Sequence, residues 1–308
     1  MGWFDRLFRR GAAVVSPPPG NARGGADAPV GMIAGRLRAR GVPYNLPRDL
    51  EEMNRLDFQH YLFRSALKGN FAAPVTQPRS ILDVGTGTGR WAREMAMMFP
   101  QAHVVGLDIN QPPADTSPAA MPEPLPVNYQ FHAGNVLEGL AIPDQSFDFV
   151  HMRLLVSAIP HDRWPLVIRE LARVTALGGW VESVEPMLPA EGGPVAERLM
   201  DWIRAISARR GVEIADASRV GEVMRATGLA NVSTRTIQIP CGAWGGRVGK
   251  MMVTDYFAGV RAVRGVIVAQ GLASEAAFDE TLAQALRDID SSRYRCYMPV
   301  YVAIGQRA

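Results

Sequence analysis

Two aspartates and a cluster of glycines are the residues of this chain whose types and spacing best suit the binding of a nucleoside. Asp83 lies in an apolar run of strand-forming residues and is followed by Gly85, Gly87 and Gly89. Glycines leave backbone N–H groups uncovered, so a ligand can approach them closely. Asp108 ends a second apolar run, nineteen residues after Gly89. Because a carboxylate at the end of a strand can accept two hydrogen bonds from a ribose diol, the spacing predicts a ligand that contains ribose.

The glycine loop also limits the kind of nucleotide. Dinucleotide-binding loops have the pattern GxGxxG, in which the third glycine permits close helix packing beneath a pyrophosphate. Arg90 occupies that third position here, and the glycines fall as GxGxG. A P-loop is excluded because no Gly-Lys-Ser/Thr follows the glycines. The loop therefore favours an adenosine-containing ligand without a diphosphate.

These residues need a sheet to bring them together, and strand and helix patterns alternate from residue 80 onwards. Strands are predicted at 80–84, 102–107, 127–132, 146–151, 180–184, 232–239 and 294–304, and helices at 91–99, 162–176, 194–210 and 217–227. Residues 111–126 contain six prolines, so we expect a loop there. The alternation predicts an α/β fold with a seven-stranded, mostly parallel sheet and helices on both faces.

The segments around this core predict further parts. Residues 1–40 are expected to be a flexible tail, because 16–31 are rich in proline and glycine. Residues 41–79 are expected to form a helical lid, with a helix that ends near Leu67 and carries His60 over the cleft. The core would comprise 80–240 and 293–308, and 241–292 would form a helical cap inserted before the last strand, with helices at 248–269 and 274–289. Tyr256 in this cap either walls an acceptor pocket or packs the cap onto the core or a second subunit, which leaves a homodimer through 241–292 open.

Composition restricts the class of protein. The 308 residues are 47% hydrophobic and 20% charged, as in globular chains of one large or two small domains. The net charge of +3, without a dense Lys/Arg block, disfavours a nucleic-acid partner. Cys241 and Cys296 belong to no CxxC or Cys/His cluster, so neither a disulfide framework nor a bound metal is expected. No apolar run reaches the ~20 residues of a transmembrane helix, and we expect a cytoplasmic protein.

Four ordered segments carry a resemblance to a known family. ILDVGTGTGRWA, VVGLDIN, HAGNVLEGLAIPDQSFDFVHMR and LGGWVESVEP resemble the successive motifs of class I S-adenosylmethionine-dependent methyltransferases. LPRDLEEMNRLDFQHYLF is similar to the lead-in helix of LaeA-like methyltransferases and their bacterial relatives, many of them linked to secondary metabolism. The resemblance implies a Rossmann-like fold, S-adenosyl-L-methionine as cofactor, and methyl transfer.

The resemblance also implies roles for named positions. Asp83 would lie near the amino group of the cofactor, Asp108 would bind the ribose hydroxyls, and Asn135 would accept a hydrogen bond from the adenine amino group. Met152 would lie beside the methyl group. The complete set of implied cofactor residues is Asp83, Gly85, Thr86, Gly87, Gly89, Asp108, Ile109, Asn135, Val136 and Met152.

The acceptor is less defined than the donor. A general base is needed only when the nucleophile must lose a proton, as for an alcohol or phenol. His161, after the fourth strand, and Glu185, at the end of the fifth, are the candidates for that role, while Arg153, His60 and Tyr256 are candidate substrate contacts. We expect a small natural-product-like acceptor methylated at oxygen. The alternatives are a protein or RNA methyltransferase and a regulatory protein that keeps the fold without catalysis.

Overall fold

The computed structural model describes residues 30–33, 36–39, 46, 50–110 and 125–308. Its strands are β1 (Val30–Ile33), β2 (Arg36–Ala39), β3 (Ser80–Val84), β4 (His103–Asp108), β5 (Tyr129–Ala133), β6 (Phe147–Arg153), β7 (Thr175–Pro186), β8 (Ala230–Pro240) and β9 (Tyr297–Gln306). Strands β3 to β9 form one sheet in the order β5-β4-β3-β6-β7-β9-β8. The first five are parallel, and β9 runs antiparallel to both of its neighbours. The predicted seven-stranded, mostly parallel α/β sheet is thereby confirmed.

Helices cover both faces of this sheet. They are α1 (Leu50–Leu67), α2 (Arg90–Met98), α3 (Trp164–Val174), α4 (Gly193–Ala208), α5 (Val220–Ala226), α6 (Gly246–Ala262), α7 (Arg264–Ala269) and α8 (Glu275–Asp290). Because successive strand residues point to opposite faces, Ile81 and Phe149 pack against α2, whereas Leu82 and Val150 pack against α3 and α5. In the part of the chain that the structure describes, none of the helices is both long and apolar enough for a membrane span.

A third apolar cluster joins the lid and cap segments to the end of the sheet. It contains residues of α1, α4, α6, α7 and α8 together with residues of β7 and β9. The single helix predicted at 248–269 is wrong, because α6 ends at Ala262 and α7 begins at Arg264. The amide of Val263 donates to the Val260 carbonyl in a tightened turn, and the Val263 side chain is buried in this cluster. Burial against neighbouring helices redirects the chain at a point that apolar periodicity does not reveal.

The structure adds a feature within the predicted tail. Strands β1 and β2 pair antiparallel between Val30 and Ala39, in a segment that we expected to be flexible. Backbone hydrogen bonds form such a pair without needing a particular side-chain pattern. The remainder of the tail, and residues 111–124 of the proline-rich loop, lie outside the described residues.

Candidate functional site

A cavity of about 390 Å³ lies at the carboxyl ends of the parallel strands, which is where open α/β sheets bind ligands. The residues after β3, β4, β5 and β6 form one side of it, and α1, α4 and α6 contribute the other walls. Eight of the ten residues implied as cofactor contacts line this cavity: Asp83, Gly85, Thr86, Gly87, Asp108, Ile109, Asn135 and Val136. The tertiary structure therefore brings together positions that are spread over 54 residues of sequence.

The glycine loop turns sharply between β3 and α2. The amides of Gly85 and Thr86 both donate to the carbonyl of Leu107, at 2.8 and 2.9 Å. Gly85 has φ +71°, and a Cβ atom there would lie 2.5 Å from the side chain of Leu155. Gly89 has φ +76°, and its Cβ would lie 2.7 Å from the hydroxyl of Tyr129. Both positions therefore require glycine. Gly89 does not line the cavity and acts through the shape of the loop.

Asp83 belongs to a buried polar row beneath the loop. Its Oδ2 accepts a hydrogen bond from the Thr86 hydroxyl at 2.6 Å, and its Oδ1 lies 2.9 Å from Nδ1 of His151. The His151 ring stacks on Trp91, with centroids 3.8 Å apart and planes 5° from parallel. The Trp91 indole in turn donates to the Asn70 carbonyl at 2.7 Å. These contacts fix the Asp83 carboxylate in place.

The structure corrects one implied cofactor residue and supplies another cavity residue on the same strand. Met152 is fully buried in the apolar core that packs against α3 and α5, and it does not line the cavity. Its neighbours His151 and Arg153 line the cavity instead. Strand β6 pairs with β3 so that His151 lies beside Asp83, which also lines the cavity. Alternation along the strand, combined with the register, is the signal that could have identified His151.

Asp108 and Asn135 lie at neighbouring strand ends and shape the turns that follow them. The Asp108 carboxylate accepts hydrogen bonds from the amides of Gly87 at 3.0 Å and Asn110 at 3.2 Å. Asn135 accepts from the amide of Leu137 at 3.0 Å and donates to Glu138 at 2.8 Å. The Asp108 carboxylate thus links the glycine loop to the end of β4.

Arg153, His60 and Glu94 form a chain of contacts along one wall. The Arg153 guanidinium donates through Nη2 to Nδ1 of His60 at 3.1 Å. An arginine can only donate, so the His60 proton resides on Nε2, which lies 3.1 Å from Glu94 Oε2. Burial lowers the pKa of His60, and the nearby Arg153 acts in the same direction, although Glu94 opposes both. Burial alone would raise the pKa of Glu94, but hydrogen bonds from His60 and Asn70 and the charge of Arg64 lower it to about 2.

A second polar network ties the lid helix to the cap. Arg55 on α1 donates to both oxygens of Glu52 and, at 2.6 Å, to Asp255 on α6. Gln59 donates to the other oxygen of Asp255 at 2.8 Å. Burial raises the pKa of Asp255, while Arg55 and Gln59 lower it. Next to this network, Tyr256 lines the cavity and also packs against α4, because its hydroxyl donates to the Met200 sulfur at 2.8 Å. Two helices that are hydrogen-bonded to each other therefore form part of the cavity wall.

The two candidate bases do not line the cavity. His161 has a 43% exposed side chain and pairs through Nδ1 with Asp216 at 2.8 Å. With Glu213 it forms a group whose ligand atoms lie within 4.8 Å of one another, close enough to hold a metal ion. Glu185 is buried, and its Oε2 accepts a hydrogen bond from the Val156 amide at 2.8 Å. Burial raises the pKa of Glu185 to about 8, against the opposing effect of hydrogen bonds from Val156 and Leu155.

Known proteins resemble this chain over the same elements. Residues 81–179 match the family model described as a methyltransferase domain. The chain is 29% identical over 276 residues to the methyltransferase str2 of Strobilurus tenacellus, covering 84% of this chain and 95% of that protein. It is 32% identical over 218 residues to the N-methyltransferase sirN of Leptosphaeria maculans, covering 68% and 74%.

The secondary metabolism regulator LAE1 of Cochliobolus heterostrophus is 28% identical over 222 residues, covering 67% of this chain and 68% of that protein. The family model spans residues 81–179, which include β4, β5 and β6 beside the cavity as well as the glycine loop. The relatives match over 276 and 218 residues, so the similarity extends well beyond that loop. Together with the seven-stranded sheet and the site at its strand ends, they show that the chain belongs to the class I S-adenosylmethionine-dependent methyltransferases.

Proposed function

We propose that this chain transfers the methyl group of S-adenosylmethionine to a small, largely apolar acceptor. The observation that carries the proposal is that the two sides of one cavity differ in polarity. One side has the bare backbone of the glycine loop and the Asp108 carboxylate, and the other side is mainly apolar. The apolar side includes Phe63, Leu154, Leu188, Ile203, Ile206 and Tyr256.

The donor side suits the cofactor of the family. A Cβ atom at Gly87 would have no neighbour closer than 3.8 Å, so the loop backbone there borders open space that a ligand can fill. When bound, S-adenosylmethionine supplies a methyl group on a sulfonium, which is already activated for displacement. We propose that Asp108 holds the ribose and that Asp83, fixed by Thr86 and His151, lies near the amino group. The chain then has to align the acceptor with the methyl group and exclude water.

The hydrogen bonds between α1 and α6 beside the cavity support a small acceptor. A protein or RNA substrate would need an open cleft, whereas here Arg55, Gln59 and Asp255 join lid to cap beside the cavity. A regulatory role without chemistry is supported by the similarity to LAE1, but it predicts damaged cofactor motifs, and these are intact in this chain. The division into tail, lid, core and cap, the cytoplasmic location and a homodimer through 241–292 stay predictions from the sequence.

We further propose oxygen as the methylated atom, in an acceptor group that is already acidic. Neither His161 nor Glu185 lines the cavity, and Nδ1 of His60 accepts from Arg153 while its Nε2 lies 3.1 Å from a Glu94 oxygen. A carboxylate, or a phenol that ionises readily, needs no base when it attacks the methyl group. Nitrogen is the second candidate, because sirN, at 32% identity, is named an N-methyltransferase.

Calorimetric titration tests the donor half of the proposal. Wild-type protein should bind S-adenosylmethionine and S-adenosylhomocysteine, and Asp108→Ala should weaken both by at least roughly tenfold, as expected for losing hydrogen bonds to a charged group. Asp201→Ala, an exposed aspartate on α4, is the matched control and should bind as wild type does. No binding by the wild type, or equal affinity in Asp108→Ala, would contradict the assignment.

Methyl transfer is tested with a deuterated methyl donor. The protein is incubated with donor and either a small-molecule extract, cellular RNA or cellular protein, and each fraction is analysed by mass spectrometry. Label in small molecules is expected. Label confined to RNA or protein would contradict a small-molecule acceptor and identify a macromolecular one. Label in none of the fractions would favour the regulatory alternative.

A further inference from the structure

Arg153 is a partly buried cation that forms no ion pair with any described residue. It ends strand β6, is partly buried and lines the cavity. Of the five N–H donors of a guanidinium, one Nη2 donor has a protein acceptor, the imidazole of His60. Nη1 has no hydrogen-bond partner among the described residues, and no carboxylate of the described chain forms an ion pair with Arg153.

This arrangement is costly unless a ligand completes it. Moving an unpaired charge out of water costs several kcal/mol even after relaxation, so buried charges are normally paired. Burial lowers the pKa of Arg153, and the more distant carboxylates of Asp83, Glu182 and Glu94 oppose this. An arginine nevertheless stays protonated. The positive charge therefore persists in the cavity wall, where the carboxylates of the chain attract it only from a distance.

Neighbouring side chains hold the guanidinium in position. His60 accepts from Nη2, and the other ring nitrogen of His60 lies 3.1 Å from the Glu94 carboxylate. The guanidinium carbon also lies 5.7 Å from the centroid of the Phe63 ring, in a cation–π contact. A cation held this way loses little entropy when a ligand arrives, which favours binding.

We propose that Arg153 is an anion-binding site, which receives a carboxylate or similar anionic oxygen of a molecule bound in the cavity. The inference rests on the proposed function in that the cavity holds cofactor and acceptor together. The anion has two possible sources: the carboxylate of the methionine portion of the cofactor, and an acidic group of the acceptor. The planar fork of arginine suits a carboxylate from either source.

The first arm of the test concerns the cofactor. S-Adenosylhomocysteine and 5′-methylthioadenosine share adenosine and a thioether, but the second lacks the amino acid. If Arg153 binds the cofactor carboxylate, Arg153→Met should weaken S-adenosylhomocysteine by roughly 10- to 100-fold, as for a charge-assisted hydrogen bond. The affinity for 5′-methylthioadenosine should stay unchanged.

The second arm concerns the acceptor. Phenylacetate and phenylacetamide have the same shape and differ in charge, and their binding is followed by ligand-observed NMR with and without S-adenosylhomocysteine. If Arg153 binds an acidic acceptor, the wild type should prefer the acid, and Arg153→Met should lose that preference. The affinity for S-adenosylhomocysteine should then be the same in both proteins.

Two further variants test whether an effect of Arg153→Met is specific to this site and whether it depends on the positive charge alone. Arg64→Met removes another arginine that donates to Glu94, at 3.0 Å, but Arg64 is half-exposed and does not line the cavity. It should behave as wild type in both arms. Arg153→Lys keeps the positive charge but not the planar guanidinium, so it should lose less affinity for the anionic ligand than Arg153→Met does. If thermal melting shows that Arg153→Met does not fold, Arg153→Lys takes its place in both arms.

The possible results are distinguishable. A loss of affinity in Arg153→Met in either arm supports the anion-binding site, and the arm in which it occurs shows whether the anion belongs to the cofactor or to the acceptor. If the wild type binds both nucleosides but Arg153→Met matches it in both arms, the inference is overturned and the proposed function stands. If the wild type binds neither nucleoside, the proposed function fails, and the phenylacetate arm without S-adenosylhomocysteine decides about Arg153 by itself.

Discussion

Replacing Glu185 by glutamine should flatten the dependence of stability on pH. The Glu185 side chain is fully enclosed, and burial raises its pKa from 4.5 to about 8. Between those values the folded protein binds one more proton than the unfolded chain. The stability that this proton contributes is present in full below pH 4.5 and is lost as the pH rises through about 8. A glutamine at this position would not titrate, and its side-chain oxygen could still accept the hydrogen bond from the Val156 amide, which Glu185 accepts at 2.8 Å.

The magnitude follows from linkage. With a folded pKa of about 8 and an unfolded value of 4.5, this one group should lower the free energy of unfolding by about 2–3 kcal/mol between pH 5.5 and pH 7.5. Other titrating groups change both proteins alike, so the difference between wild type and Glu185→Gln isolates Glu185. The difference in unfolding free energy between wild type and Glu185→Gln should therefore change by about 2–3 kcal/mol across this range, and the variant should gain relative stability at the higher pH.

Equilibrium urea unfolding at pH 5.5, 6.5 and 7.5 measures the effect. Glu222→Gln, on the exposed side of α5, is the matched control and should run parallel to wild type. If the difference in unfolding free energy between the two proteins changes by less than about 1 kcal/mol, Glu185 is not neutral in the folded protein at pH 5.5 to 7.5, and the reasoning is refuted. Turnover should change little in Glu185→Gln, because the glutamate does not line the cavity.

Three further predictions concern other parts of the site. Gly85→Ala, whose Cβ would meet a leucine side chain at 2.5 Å, should cost about 1–3 kcal/mol more in unfolding free energy than Gly228→Ala, which has a similarly positive φ but no atom within 4 Å. A double-mutant cycle on Arg55→Met and Asp255→Asn should give a coupling of about 1–3 kcal/mol in unfolding free energy, since the pair is buried; purely additive effects would contradict the link between lid and cap. His161→Ala should keep cofactor affinity and turnover within about threefold, because its partner is Asp216 outside the cavity; a tenfold loss of turnover would restore it as a base.

The fold could be predicted from the sequence because its signals are local. The order of strands and helices follows from runs of apolar residues, and each predicted strand of the sheet is present within a few residues of its expected bounds, apart from the fifth, which begins five residues early. The break at Val263 could not be predicted, because it depends on how α6 and α7 pack against other helices. Eight of the ten residues implied as cofactor contacts line the cavity, since motif residues at strand ends are placed by the sheet itself.

The acceptor side was predicted less well, because it depends on contacts between distant segments. His161 and Glu185 are near the site in sequence, yet each points elsewhere once the chain is folded. Met152 was expected beside the methyl group, whereas it is buried in the apolar core that packs against α3 and α5. Successive strand residues point to opposite faces, and a motif alone does not show which of them is covered by the packing of distant helices.

By itself, the sequence determined the α/β fold and a cofactor that contains adenosine without a diphosphate. Short-range patterns suffice for both, because the glycine loop and the strand-end aspartate are each built within one strand–loop unit. The tertiary structure alone decided that Arg153, His60 and Glu94 meet. They come from β6, α1 and α2, and the hydrogen bond from Arg153 to His60 spans 93 residues of sequence. A partly buried charge and the groups that hold it are set by the packing of those elements, which no local pattern encodes.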